Sequence, residues 1–398
     1  MRILVYTGKG GVGKTSIAAA TGVALAKRGT RTLVLSTDAA HSLGDSFDQP
    51  LGPEPVPVAD NLWGQEIDSL REAERSWGAV QKWMSGVLNW AQVSDINSEE
   101  VLVFPGFEEL FSLLQILEHA RGGRFDVLVV DCAPTGETLR LLSYPNVIRW
   151  WLNKVFPFQR RVAKVMRPVA KLVTGGFELP SEDALDSVDH LFREVEEMNR
   201  LLLDPALTSV RVVLNPEKMV LAEARRSFTY LNLYGFNTDA VVVNRVLPQG
   251  AAGSYFRGWR SIQSKYEEEI ESAFSPLPIL HVPWMETEVV GLPMLERVAE
   301  AAFAKVDPAA VLHTGRVEEV RREAGGYVLD LAVPFAARDD IQLSQRADEL
   351  TIQVGPFKRK TLLPRVLAGR SVAGARFVDQ RLHVRFGERP KAAALTEN

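Results

Sequence analysis

Cysteine is the scarcest residue of this chain, with Cys132 alone among 398 positions. A single thiol excludes an intramolecular disulfide framework and suits a reducing compartment, so a cytoplasmic location is expected. No run of eighteen uncharged apolar residues occurs, so no transmembrane segment of its own is expected. Met1-Arg2 leads straight into a β-like run, where no cleavable signal peptide fits. A basic block is also missing. From Arg316 onward 15 Lys and Arg stand against 11 Asp and Glu, a net +4, and the residues before them carry a net −8. Basic and acidic residues alternate in that last part, so no nucleic-acid partner is expected. The charge asymmetry marks a boundary near 305–316. Internal repeats and long low-complexity tracts are absent, and the tail after Gly387 reads as frayed.

What is present is rhythm. The length of 398 residues exceeds one usual domain. Short β-branched runs (Ile3–Tyr6, Thr32–Ser36, Val127–Val130, Val210–Leu214, Ala240–Val243, Ile279–Val282) alternate with amphipathic stretches such as Glu182–Leu202, Met219–Leu233 and Ser254–Phe274. That alternation predicts an α/β fold, a mostly parallel sheet with helices on both faces and a ligand at the carboxyl ends of the strands. Beyond residue 317 the pattern changes to period two, as in Tyr327/Leu329/Leu331/Val333 and Leu350/Ile352/Val354, punctuated by turn signals at 338–340, 346–348 and 378–380. This predicts a small antiparallel β-sandwich. The expected domains are therefore 1–305, with helical inserts at about 69–122 and 144–180, and 316–388. The inserts are rich in large apolar residues, among them Trp77, Trp83 and Trp90, then Trp150, Trp151, Phe156, Phe158 and Met166. Such stripes serve either as core or as an adaptable surface for a hydrophobic client.

The chemistry starts at Gly8-Lys9-Gly10-Gly11-Val12-Gly13-Lys14-Thr15, which follows the first strand-like run and opens the helical pattern at Ser16. Glycine, four residues, glycine and Lys-Thr form the phosphate-loop pattern of a nucleotide-triphosphate site. Its backbone N–H groups converge on phosphate oxygens, Lys14 reaches the β/γ-phosphates, and the Thr15 hydroxyl can ligate Mg²⁺. Residues Gly8 to Ser16 are thus the candidate phosphate-binding set. Lys9 adds a second cation to the loop. Delivered to another chain, it would neutralise charge developing on the transferring phosphoryl group, as an arginine finger does.

Two further segments belong to this chemistry. Val127-Leu128-Val129-Val130-Asp131 places a carboxylate at a strand end, where it can hold the Mg²⁺ shell, partly through water. The turn Cys132-Ala133-Pro134-Thr135-Gly136 behind it is positioned to sense the γ-phosphate. After the second strand, Ser36-Thr37-Asp38-Ala39-Ala40-His41-Ser42-Leu43-Gly44-Asp45 offers two carboxylates and an imidazole. Asp38, on the phosphate side, is the candidate to orient or deprotonate water. Asp45 either binds Mg²⁺ water or caps a helix, and His41 fits a structural place equally well.

With these segments the chain resembles the arsenite-pump and tail-anchored-protein-targeting ATPase family, a branch of the deviant phosphate-loop proteins. The resemblance rests on Lys9 to Thr15, Thr37 to Asp45, Asp131 to Arg140, Pro216-Glu217-Lys218-Met219, Val243 to Pro248 and Val282-Pro283-Trp284, in family order over residues 1 to about 305. It implies an ATP- and Mg²⁺-dependent hydrolase working as a homodimer, with Lys9 crossing to the partner's nucleotide and Asp38 as the catalytic carboxylate. It further implies that Asn244, Pro283 and Trp284 hold adenine and that Glu217 contacts the nucleotide of the opposing subunit. Two departures follow from the lone Cys132. The paired-cysteine motif that binds zinc across the targeting dimers cannot form, so no zinc is expected. The clustered cysteines that capture metalloid in arsenite pumps are missing too. Segments 339–343, 349–354, 360–364 and 380–386 resemble an α-crystallin (small heat-shock protein) domain. The functions implied are capture and release of a hydrophobic client, energising of an anion exporter, or a slow nucleotide switch.

Overall fold

The computed structural model describes residues 1–38, 42–68, 107–132, 182–248, 250, 253–315, 317–323, 326–364 and 366–387. Eight strands form the main sheet: β1 (Arg2–Thr7), β2 (Thr32–Ser36), β3 (Val56–Ala59), β4 (Leu62–Glu66), β5 (Val127–Asp131), β6 (Thr208–Leu214), β7 (Thr238–Val246) and β8 (Ile279–Pro283). Their order is β3-β4-β2-β5-β1-β6-β7-β8. Every neighbouring pair is parallel except the β3–β4 hairpin. The central strands are buried along their length except at Arg2, as expected where helices cover both faces of a parallel sheet. The β-branched runs thus form strands as their pattern predicts. The β3–β4 hairpin is an addition that the sequence reading did not contain.

Seven helices are described: α1 (Lys14–Lys27), α2 (Ser42–Phe47), α3 (Phe107–Gly122), α4 (Glu182–Leu203), α5 (Lys218–Tyr234), α6 (Ser254–Phe274) and α7 (Leu292–Phe303). Helix α1 is almost wholly buried because alanine, valine and leucine occupy every face, and it packs against α7, β2 and β5. Of the two expected inserts, 69–122 is described only at α3. The 144–180 insert, His41, the 133–136 turn and the tail after Gly387 lie outside the described residues.

One polar structure is embedded in this apolar interior. Arg211 of β6 and Asp239 of β7 are both fully buried, with Arg211 Nε to Asp239 Oδ1 at 3.0 Å. The same guanidinium donates to Tyr6 Oη at 3.1 Å and to the Pro308 carbonyl at 2.9 Å. Asp239 also accepts the Leu312 N–H at 3.2 Å, while Arg2 donates to the Ala309 carbonyl at 2.9 Å. The connection after α7 is thereby pinned to the interior strands β1, β6 and β7.

The C-terminal part comprises β9 (Glu318–Glu323), β10 (Gly326–Ala332), β11 (Ile341–Arg346), β12 (Glu349–Val354), β13 (Phe357–Leu362), β14 (Val372–Val378) and β15 (Arg381–Phe386). Two antiparallel sheets, β14-β15-β10-β9 and β11-β12-β13, share one hydrophobic core through Leu329, Leu331, Leu350, Ile352, Leu382 and Val384. The expected turn between β14 and β15 has positive φ at both Asp379 (50°) and Gln380 (58°), as a two-residue hairpin demands.

This sandwich sits on α5. Leu233, contributed by α5, is fully buried in the sandwich core. Tyr230 and Phe357 stack with ring centroids 3.7 Å apart, and Phe335 packs on Phe228 and Phe274 at 6.3 and 6.0 Å. Arg359 donates to the Leu233 carbonyl at 2.9 Å, and Thr229 donates to that of Pro334.

Candidate nucleotide site

The phosphate loop lies at the carboxyl end of β1, between β5 and β6. Two of its glycines are required by space. A Cβ on Gly8 would lie 2.1 Å from the Val213 carbonyl oxygen, so only glycine lets the loop cross β6 this closely. Gly13 has φ +91°, and a Cβ there would lie 2.4 Å from Asn244 Nδ2. Lys14 is 6 % exposed and folds its Nζ back toward the Lys9 carbonyl at 3.4 Å. Lys9 is half-buried, and Gly10 and Gly11 are exposed. The Thr15 and Ser42 hydroxyls lie 3.3 Å apart, linking α1 to α2.

Asp131, at the end of β5, is 1 % exposed. Burial raises its carboxyl pKa to about 7, with the nearby Asp38 charge adding to the rise and Thr15, Lys14 and Ser36 opposing it. Ser36 donates to Asp131 Oδ2 at 3.5 Å, while Oδ1 has no hydrogen-bond partner among the described residues. A buried carboxylate oxygen left open beside a threonine hydroxyl and a lysine fits a hard divalent cation such as Mg²⁺. Asp38 is half-buried, and its N–H is held by Ser36 Oγ at 3.2 Å. Loop, Lys14, Thr15, Asp38 and Asp131 thus converge at one end of the sheet. Asp45 lies apart from them on the exposed face of α2.

Beside the loop opens a cavity of about 660 Å³, lined by Gly13, Ser16, Asn244, Pro283 and Trp284 among others. The candidate base-binding residues therefore share one wall. Trp284 is 55 % exposed, presenting its ring at the mouth. Asn244 is 8 % exposed and partly committed within the protein: Nδ2 donates to the Val12 carbonyl at 2.8 Å, and Oδ1 accepts the Arg245 N–H at 2.9 Å. One amide N–H and one lone pair remain for a ligand, fewer than the whole amide that the sequence offers. Glu217 stands apart, exposed at the start of α5. Arg245 also lines this cavity, and Gln263 of α6, which no motif singles out, bonds the backbone of Arg245 and Leu247 without lining it. The described residues contain no helix long and apolar enough to cross a membrane.

Residues 1–303 match a family described as anion-transporting ATPase, and residues 324–386 match an HSP20-like domain found in ArsA. A Chlorobaculum tepidum protein, provisionally named an arsenical pump-driving ATPase, is 41 % identical over 388 residues, covering 97 % of this chain and 96 % of the relative. An ATPase ASNA1 homolog from Entamoeba dispar is 30 % identical over 304 residues, 75 % of this chain and 91 % of its own length. ATPase GET3 of Phaeosphaeria nodorum is 29 % identical over 313 residues, 75 % and 93 % of the two chains.

Proposed function

Because the chain belongs to the anion-transporting ATPase family and is an ATP hydrolase, we propose that it works as a Mg²⁺-dependent homodimer coupling ATP turnover to capture and release of a hydrophobic client. In this reading the loop amides and Lys14 hold the β- and γ-phosphates, and Asn244, Pro283 and Trp284 hold the adenine. Asp38 orients a water and takes its proton as the water oxygen bonds to the γ-phosphorus and the bond to ADP breaks. Lys9 and Glu217 of each subunit reach the opposing nucleotide. Thr15 and Asp131 would hold the Mg²⁺, which when bound supplies positive charge against the phosphate oxygens.

The observation that carries the client reading over metalloid transport is Cys132, the sole cysteine and only 1 % exposed. Trivalent arsenic is a soft thiolate ligand-seeker, and this chain presents no thiol to it. A second reading, an ATPase subunit energising an anion exporter, is favoured by the name of the Chlorobaculum relative and its match along nearly the whole chain. The two separate in one assay of ATP turnover, with an apolar membrane-span peptide in one arm and arsenite or antimonite in the other. Nucleotide-dependent peptide binding that alters turnover supports the client. Stimulation by the oxyanions, with the peptide inert, overturns it in favour of the exporter.

A further inference from the structure

Gln263 of α6 is 7 % exposed, yet it belongs to no apolar cluster. Its Oε1 accepts the Leu247 N–H at 2.9 Å, and its Nε2 donates to the Arg245 carbonyl at 3.2 Å. One donor and one acceptor are required at that spot, which a carboxamide supplies and a carboxylate or thioether does not. The clamped segment is the irregular end of β7, where Arg245 takes a left-handed conformation, φ 57°, that non-glycine residues rarely adopt. From this segment two hydrogen bonds run to the cavity beside the phosphate loop. The Arg245 N–H holds Asn244 Oδ1, whose Nδ2 holds the Val12 carbonyl of the loop. The Val246 carbonyl holds the Trp284 N–H at 2.8 Å.

We propose that Gln263 is a positioning residue for the nucleotide base, fixing residues 245–247 at the end of β7 and through them the orientation of the Asn244 amide and the seat of Trp284. This rests on the reading of that cavity as the base site. A fixed Asn244 has one lone pair and one N–H left, matching the 6-amino donor and N7 acceptor of adenine. Guanine presents acceptors at both O6 and N7 and sets O6 against Asn244 Oδ1. Gln263, although it need touch no atom of the ligand, therefore governs the choice of ATP over GTP.

The test is steady-state hydrolysis of ATP and GTP by the full chain as wild type, Gln263→Met, Gln263→Glu and Asn244→Ala, with thermal melts alongside. Gln263→Met is expected to raise KM for ATP on the order of tenfold, the size of one positioned hydrogen bond, with the loss falling on KM rather than kcat. The ATP/GTP ratio of kcat/KM should narrow by a similar factor. Gln263→Glu keeps an acceptor for the Leu247 N–H and loses the donor, so it should fall between, and it decides the question by the same ratio if Gln263→Met does not fold. An unchanged ratio in the Gln263 variants with a narrowed one in Asn244→Ala would overturn the proposal alone. An unchanged ratio in Asn244→Ala would remove the base-site reading beneath it. A proportionate fall of kcat/KM for both nucleotides would leave Gln263 as packing only and also overturn the proposal.

Discussion

Substituting Arg211 by Met preserves the reach of the side chain and removes a charge from a place that water does not enter. Both Arg211 and Asp239 are 0 % exposed, so the aspartate left behind is a buried carboxylate that has lost its nearest guanidinium. Breaking a buried ion pair from one side costs about 3–5 kcal/mol. Two neighbours soften that figure here: the Leu312 N–H at 3.2 Å from Asp239 Oδ2, and Arg2 Nη2 at 4.0 Å from the same atom. Against them, the Pro308 carbonyl loses its donor. The expected loss is therefore near the lower bound, about 3 kcal/mol, out of a total that for most proteins is only about 5–15 kcal/mol. Urea denaturation followed by tryptophan fluorescence without nucleotide reads this directly, as a lower midpoint at unchanged slope. The double variant Arg211→Met/Asp239→Leu removes both charges and should recover most of the loss. A single-variant loss below about 1 kcal/mol, or a double variant as weak as the single, would refute the assignment of the pair as a mutually dependent buried unit.

Lys14→Ala should abolish tight ATP binding, whereas Lys9→Ala should retain binding and lose turnover; equilibrium binding and phosphate release measured on the same preparations separate the two, and full turnover in Lys9→Ala ends the case for a cation that crosses between subunits. Asp38→Asn should keep ATP bound and lower kcat by about 10²–10⁴, and single-turnover rates matching wild type would reduce Asp38 to a turn residue. Burial lowers the pKa of His119 from its ordinary 6.5, outweighing Glu118 and Glu54, and its Nε2 lies 2.7 Å from Gln65 Oε1. The neutral ring is thus favoured in the fold, so its contribution is full above pH 6.5 and is lost as pH falls. Melting temperature should decline below about pH 6.5 and do so less steeply in His119→Gln, and equal slopes would count against it.

Strands β1, β5 and β6 were legible because a strand buried on both faces must be a run of β-branched residues, and few other structures use such a run. The phosphate loop was legible because the Val213 carbonyl crowds Gly8, and a left-handed φ beside the Asn244 amide favours glycine at Gly13. The β3–β4 hairpin was not: Pro57 is a poor strand residue tolerated because β3 is the edge strand, and Gly64 of β4 leaves room for Leu51, whose Cδ1 a Cβ would meet at 2.8 Å. Arg211 reads as an interruption in a valine-rich strand until the neighbouring strand supplies Asp239 twenty-eight positions later. Gln263 was hidden for a related reason. On an amphipathic helix a glutamine belongs to the polar face, and only tertiary structure brings the Arg245 carbonyl and Leu247 N–H against it. Residues that act through the backbone leave no spacing pattern to read.

The seating of the sandwich on α5 bears on heredity as well as mechanics. Leu233 is contributed by one unit and buried in the other, while Phe228, Phe274 and Tyr230 are covered by Phe335 and Phe357. The two units are contiguous stretches of sequence with a common interior, and so they are not severable at the connection between them. A chain cut there would bare Leu233 and its aromatic neighbours to water, at about 1.5–3 kcal/mol for each large apolar side chain uncovered. Any recombination that exchanged this sandwich among relatives has to carry the matching face of α5 along with it.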